Sequence, residues 1–162
     1  MKLLLIRHAE PDTEHGPRPD PPLSALGRAQ GRALAAWLAR EPLAGVYTSP
    51  LLRARGTAEI AKKGLITDAK VELADELTPS AAPDQLIARL ADLADKPVVL
   101  CVGHEPHLST TISAMVSGKI AASLEVKKAG ACCIRFTGIP KAGAGTLLWL
   151  LPPKVLRLIA AR

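Results

Sequence analysis

Four residues at the ends of three apolar runs have the chemistry to hold and attack an anion. LLLI at 3–6 leads into Arg7-His8, and VVLCV at 98–102 leads into Gly103-His104. VYT at 46–48 ends in Ser49, with Arg53 a helical turn further on. A guanidinium presents a planar fork of donors matched to phosphate oxygens, and a neutral imidazole can act as nucleophile, base or donor. Gathered together, two of each would form a compact cationic pocket. Each piece alone also has a plainer reading: Arg7-His8 as an exposed strand end, Arg53 as a solvated neighbour of Arg55, Gly103-His104 as a structural turn. Their agreement on one chemistry points to phosphate.

These groups can meet only if their strands run parallel in one sheet, because open α/β sheets bind ligands beyond the carboxyl ends of their strands. The pattern supports this. Strand-like runs LLLI, VYT, VEL around Glu72, PVVLCV, CCIRF and TLLWLL alternate with amphipathic stretches. A helix is expected from the N-cap Ser24 through Leu34, Trp37 and Leu38, limited by Pro42. A second runs from near Pro50 to Gly64, a third from Pro83 through Leu93, and a fourth from Pro106 through Met115. The last follows Pro152-Pro153 and carries Val155, Leu156 and Ile159. The expected fold class is α/β, a three-layer α/β/α sandwich with a mostly parallel central sheet. A glycine-containing link (Gly138, Gly143, Gly145) predicts that CCIRF and TLLWLL form an antiparallel hairpin at one edge.

With 162 residues, 48% hydrophobic and 22% charged, the chain reads as one domain over 1–162 and not as a disordered one. Its apolar runs fall short of the ~18–20 residues a membrane span needs. MKLLLI reaches Arg7 too soon for a signal peptide, so a cytoplasmic location is expected. The net charge of +6 raises the question of nucleic acid, but the four aromatics (Trp37, Tyr47, Phe136, Trp149) all sit in apolar runs. An anionic substrate or an acidic partner explains the charge better. Cys101 and the adjacent Cys132-Cys133 read as buried thiols in a reducing compartment. No nucleotide-binding glycine loop or serine-hydrolase elbow is present. His104 and His107 have only Glu105 nearby, so neither a metal nor a cofactor is expected.

The segments LLLIRHAE (3–10), DPPLSALGRAQ (20–30), YTSPLLRARGTAEIA (47–61) and VVLCVGHEPHLS (98–109) resemble the histidine phosphatase superfamily, with its phosphoglycerate mutase-like fold. The short length and the ending WLLPPKVLRL look like the SixA-type phosphohistidine phosphatases. The resemblance implies that His8 takes the phosphoryl group as a covalent phosphohistidine. Arg7 and Arg53 would clamp its oxygens, with His104 completing the substrate-binding pocket, and no metal would be required. ADELTP places Asp75 and Glu76 where family members carry an acid; Glu76 is the expected proton donor, with Asp75 as the alternative. Glu14 stands where many members carry Asn.

The expected substrate is a phosphohistidine in a protein, such as a histidine-containing phosphotransfer domain. The alternatives are a phosphomonoesterase acting on a small phosphorylated metabolite and a non-catalytic phosphate-recognition domain. Lys127-Lys128 and the basic residues Lys154, Arg157 and Arg162 are expected to steer an acidic partner.

Overall fold

The computed structural model describes residues 1–39, 41–65, 67–121 and 123–160. The Ile159 side chain and Arg162, expected in the last helix and tail, lie outside the described residues. The elements follow the predicted order. They are β1 (Lys2–Arg7), α1 (Ala25–Leu38), β2 (Gly45–Thr48), α2 (Leu52–Lys63), β3 (Val71–Leu73), α3 (Pro83–Asp92), β4 (Val98–Gly103), α4 (His107–Ser117), β5 (Ala131–Arg135), β6 (Thr146–Leu151) and α5 (Pro153–Ala160). A 3₁₀ turn at Asp75–Leu77 has no counterpart in the sequence reading.

The six strands form one sheet in the order β3-β2-β4-β1-β5-β6. β1, β2, β3 and β4 are mutually parallel, and β5 runs antiparallel between β1 and β6. This is the mostly parallel sheet with an antiparallel edge that the alternation predicted. A register shift between Cys133 and Ile134 marks a bulge in the hairpin.

Successive strand residues point to opposite faces, and the sequence fills both. Leu4 and Ile6 of β1 join Leu100 and Val102 of β4 under Leu34, Ala54 and Leu156 from α1, α2 and α5. Leu3 and Leu5 join Val99 and Cys101 under Leu86, Leu108 and Ile112 from α3 and α4. Cys132 and Cys133 fall into different layers, as adjacent strand residues must. Each large side chain buried here contributes about 1.5–3 kcal/mol. Burial on both faces also fixes register, because a one-residue slip would send every core side chain of β1 into the wrong layer.

The helix ends are built as their sequences suggest. Ser24 caps α1, its Oγ accepting from Gly27 N at 3.0 Å. Pro83 opens α3, where Gln85 Oε1 accepts from Ala82 N at 3.0 Å. Both devices satisfy N–H groups that a helix start leaves open.

Candidate active site

Strand register brings the two histidines together. Arg7 of β1 pairs with Gly103 of β4, so His8 and His104 emerge side by side at the carboxyl edge of the sheet. His8 N donates to Gly103 O at 2.9 Å, and the two imidazole centroids lie 4.9 Å apart. β2 lies on the other flank of β4, and Ser49 N donates to Val102 O at 3.0 Å. α2 starts three residues later and directs Arg53 back over the pair, with Arg53 Nε 3.4 Å from His8 Nε2.

The tautomer of His8 follows from its partner. His8 Nδ1 lies 2.8 Å from Ala9 O, and a carbonyl can only accept, so Nδ1 carries the hydrogen. Nε2 therefore holds a lone pair and faces the Arg53 donor. Burial is the main cause that brings the His8 pKa down to about 4; the Ala9 bond opposes it, and Arg53, Arg7 and Lys128 add to it. His8 is neutral at neutral pH.

His104 is only 1% exposed, and neither of its ring nitrogens has a hydrogen-bond partner among the described residues. Burial, then the charges of His8 and Arg53, brings its pKa down to about 3. An unsatisfied buried polar group costs about 1–3 kcal/mol, so this ring is suited to bond an incoming oxygen.

The arginines are held by neighbours that sequence patterns did not single out. Arg7 Nη1 donates to Val126 O at 3.0 Å, and Arg7 Nε is buried without a partner among the described residues. Val126 is fixed in turn by Glu105, whose Oε1 accepts from Val126 N at 2.9 Å and whose Oε2 accepts from Ser109 Oγ at 2.6 Å. Glu105 is thus committed to holding a loop. On the opposite side, Asp20 accepts from Leu52 N through both carboxylate oxygens at 3.0 Å and lies 3.4 Å from Arg53 Nη1. Thr57 joins the two sides, accepting from Ala9 N at 2.9 Å and donating to Arg53 O at 2.7 Å. Asp20, Thr57 and Glu105 are common residue types, and each has at least one partner remote in sequence (Leu52, Ala9 and Val126), so no local pattern marks them.

Four known-protein likenesses bear on this arrangement. The model of the histidine phosphatase superfamily (branch 1) matches residues 3–78, which include Arg7, His8 and Arg53. An uncharacterized protein of Picosynechococcus sp. is 31% identical over 165 residues, covering 96% of this chain and 99% of the relative. The chain belongs to the histidine phosphatase superfamily. Its fold is similar to that of the protein histidine phosphatase SixA in a tungstate complex, with a TM-score of 0.85 at 24% identity over 96% of this chain and 99% of that one. It is also similar to α-ribazole phosphatase from Shigella flexneri, with a TM-score of 0.78 at 20% identity over 94% of this chain and 97% of that one.

The remaining expected residues of this histidine phosphatase chain sit in the segments between strands and helices. Glu76 is half-buried in the 3₁₀ turn beside β4, and Asp75 is exposed. Glu14 is exposed in the loop after β1, its backbone N donating to Asp12 Oδ1 at 3.1 Å. Lys127 and Lys128, expected to steer a partner, each sit beside a carboxylate. Lys127 pairs with Glu125 at 2.5 Å, and Lys128 pairs with Glu10 at 2.7 Å. This loop packs back on β1, where Ala129 N donates to Arg7 O at 3.2 Å, and so brings Lys128 to Glu10. Gly27 seats α1 on the same segment, since a Cβ there would lie 2.1 Å from Glu10 O. Among the described residues, no group of three or more His, Cys, Asp or Glu side chains could hold a metal ion, and no helix is long and apolar enough to cross a membrane.

Proposed function

We propose that this chain is a phosphatase that passes the phosphoryl group through His8, and that its substrate is a phosphohistidine in a protein. The observation that carries the mechanism is the His8 ring itself: buried, neutral, with Nδ1–H held by Ala9 O and Nε2 left as the nucleophilic atom. In the first step Nε2 attacks phosphorus and the bond to the substrate nitrogen breaks. The bonding pair stays on the leaving imidazole, which takes up a proton. In the second step water attacks the phosphohistidine, the P–Nε2 bond breaks, and inorganic phosphate and neutral His8 are restored, with the water's surplus proton passing to solvent.

Arg7, Arg53 and His104 supply the donors around the transferring group. Phosphoryl transfer is governed by positioning and charge stabilisation, so this reading assigns the charge to two guanidiniums and an imidazole and needs no metal ion. Glu76 is the assigned proton donor for substrates that require one. The likeness to SixA supports a phosphohistidine protein, such as a phosphotransfer domain. The three cysteines are buried free thiols, which suits a reducing, cytoplasmic setting.

A second reading is a phosphomonoesterase for a small metabolite, favoured by the likeness to α-ribazole phosphatase. Turnover of a phosphohistidine protein, a phosphoserine peptide and sugar phosphates, measured side by side, separates the two. Preference for the phosphohistidine protein supports the first reading; strong preference for sugar phosphates overturns it in favour of the second.

A further inference from the structure

The excess positive charge is concentrated on two helices. α1 and α2 together hold Arg28, Arg32, Arg53, Arg55, Lys62 and Lys63 against the single acid Glu59, a net +5 of the chain's +6. Arg53 turns into the site, and the others lie on the outside of this helical layer. Helical spacing puts Arg28 and Arg32 on one face of α1, and Arg55, Glu59 and Lys63 on one face of α2. These two faces border a groove made of adjoining depressions of about 450 and 560 Å³.

The floor of the groove is apolar, built from Leu23, Ala35, Gly56, Ile60 and Gly64. The helices approach closely because there is no side chain at the crossing: a Cβ at Gly31 would lie 3.0 Å from Ile60 Cγ2, and one at Gly64 would lie 2.6 Å from Ala35 Cβ. Some of the rim is already committed, since Arg55 Nε bonds Glu59 at 2.9 Å and Arg28 Nη1 donates to Leu23 O at 2.8 Å. Arg32 and Lys63 are exposed and have no acidic partner among the described residues. One end of the groove opens at Leu52, 46% exposed, beside the Asp20–Arg53 pair that borders the histidines.

We propose that this groove docks an acidic amphipathic helix of the phosphorylated protein substrate, laying apolar side chains on the floor and carboxylates along the rims. The inference rests on the protein-substrate reading above and deepens it. Charge complementarity chooses the partner's sign, and the apolar floor chooses a polypeptide over a bare polyanion. Nucleic acid fits less well. Glu59 sits on the rim, Tyr47 and Phe136 are buried, and Trp37 and Trp149 pack edge to face with each other rather than offering stacking surfaces. At 1.5 Å per residue α2 spans about 18 Å, enough for roughly three turns of a partner helix. A helix seated there would reach from Lys63 to the mouth of the site.

The test is the double variant Arg32→Glu, Lys63→Glu, with both changes at exposed positions and folding checked by thermal melting. On a phosphorylated phosphotransfer domain, kcat/KM is expected to fall about tenfold or more, through KM and with a weaker salt dependence, while phosphoimidazole turnover stays within about twofold. An equal loss on both substrates, or no loss on the protein, overturns the docking site. A fluorescent, glutamate-rich helical peptide titrated into wild type and variant gives a readout independent of turnover. Weaker binding to the variant supports the groove, and equal binding overturns it. Tighter binding of a DNA duplex than of the peptide also overturns it, in favour of nucleic acid. If wild type fails to turn over the phosphoprotein, the substrate reading fails while the peptide titration still decides the groove.

Discussion

Arg53 Nε lies 3.4 Å from His8 Nε2, with a donor facing the one ring nitrogen that carries a lone pair. The pairing does two things. It favours the neutral tautomer already set by Ala9 O, and it holds a guanidinium beside the atom that would bond phosphorus. Both consequences depend on α2 starting where it does, which Asp20 secures by accepting from Leu52 N.

Replacing Arg53 by Lys keeps a positive charge but removes the planar fork and Nε. By comparison with other fixed donors at a developing oxyanion, the loss in kcat should be about 10²–10³. Steady-state kinetics on phosphoimidazole checks this, and activity close to wild type would show that the fork is dispensable.

Thr57→Val preserves side-chain volume but removes the hydroxyl that links Ala9 N to Arg53 O. It leaves a buried N–H without a partner, at a cost of about 1–3 kcal/mol. Urea unfolding should register that loss, and kcat should fall because the backbones bearing His8 and Arg53 are no longer tied together. Thr57→Ser, which keeps the oxygen, should restore most of both.

Acid should destabilise the fold through the two histidines. An ordinary histidine titrates near pH 6.5, whereas His8 and His104 are held down to about 4 and about 3. As pH falls below about 6.5 the unfolded chain binds more protons than the folded one, so stability declines with falling pH, by about 1.4 kcal/mol per pH unit for each such proton. Above about pH 7 both states leave these rings neutral and the contribution is flat. Unfolding measured between about pH 7 and pH 5 should show a slope reduced by about one proton in His104→Gln.

Glu76→Gln separates substrates by leaving group. A sugar alkoxide needs a proton as it departs, and general acid catalysis is worth about 10²–10⁴. A phosphohistidine leaves as an imidazole that can be protonated before cleavage. The variant should therefore lose far more activity on alkyl phosphates than on phosphohistidine. Equal losses would remove Glu76 from the role of proton donor.

Most of the fold was legible because this sequence states it locally. The runs LLLI and VVLCV are apolar at every position, which only a sheet covered on both faces uses, and Ser24, Gly64, Pro83 and Pro106 punctuate the helices close to where the structure does. Parallel strands then oblige Arg7-His8 and Gly103-His104 to meet, so the centre of the site follows from the same reading. The supporting residues were not legible. Asp20 reaches across to the start of α2, and Glu105 acts through the backbone of Val126. Such bonds depend on tertiary approach and leave no spacing to read. The surroundings of the basic pair Lys127-Lys128 were hidden for the same reason, since the folded loop gives each lysine an acidic neighbour that charge counting along the chain does not reveal.

The central claim is a phosphoryl group carried on His8 Nε2. Rapid mixing with a radiolabelled phosphohistidine protein, followed by alkaline quench and peptide mapping, tests it most directly. The predicted result is an acid-labile, base-stable label on the His8 peptide during turnover, absent from His8→Ala together with phosphate release. Phosphate release that persists in His8→Ala would contradict it.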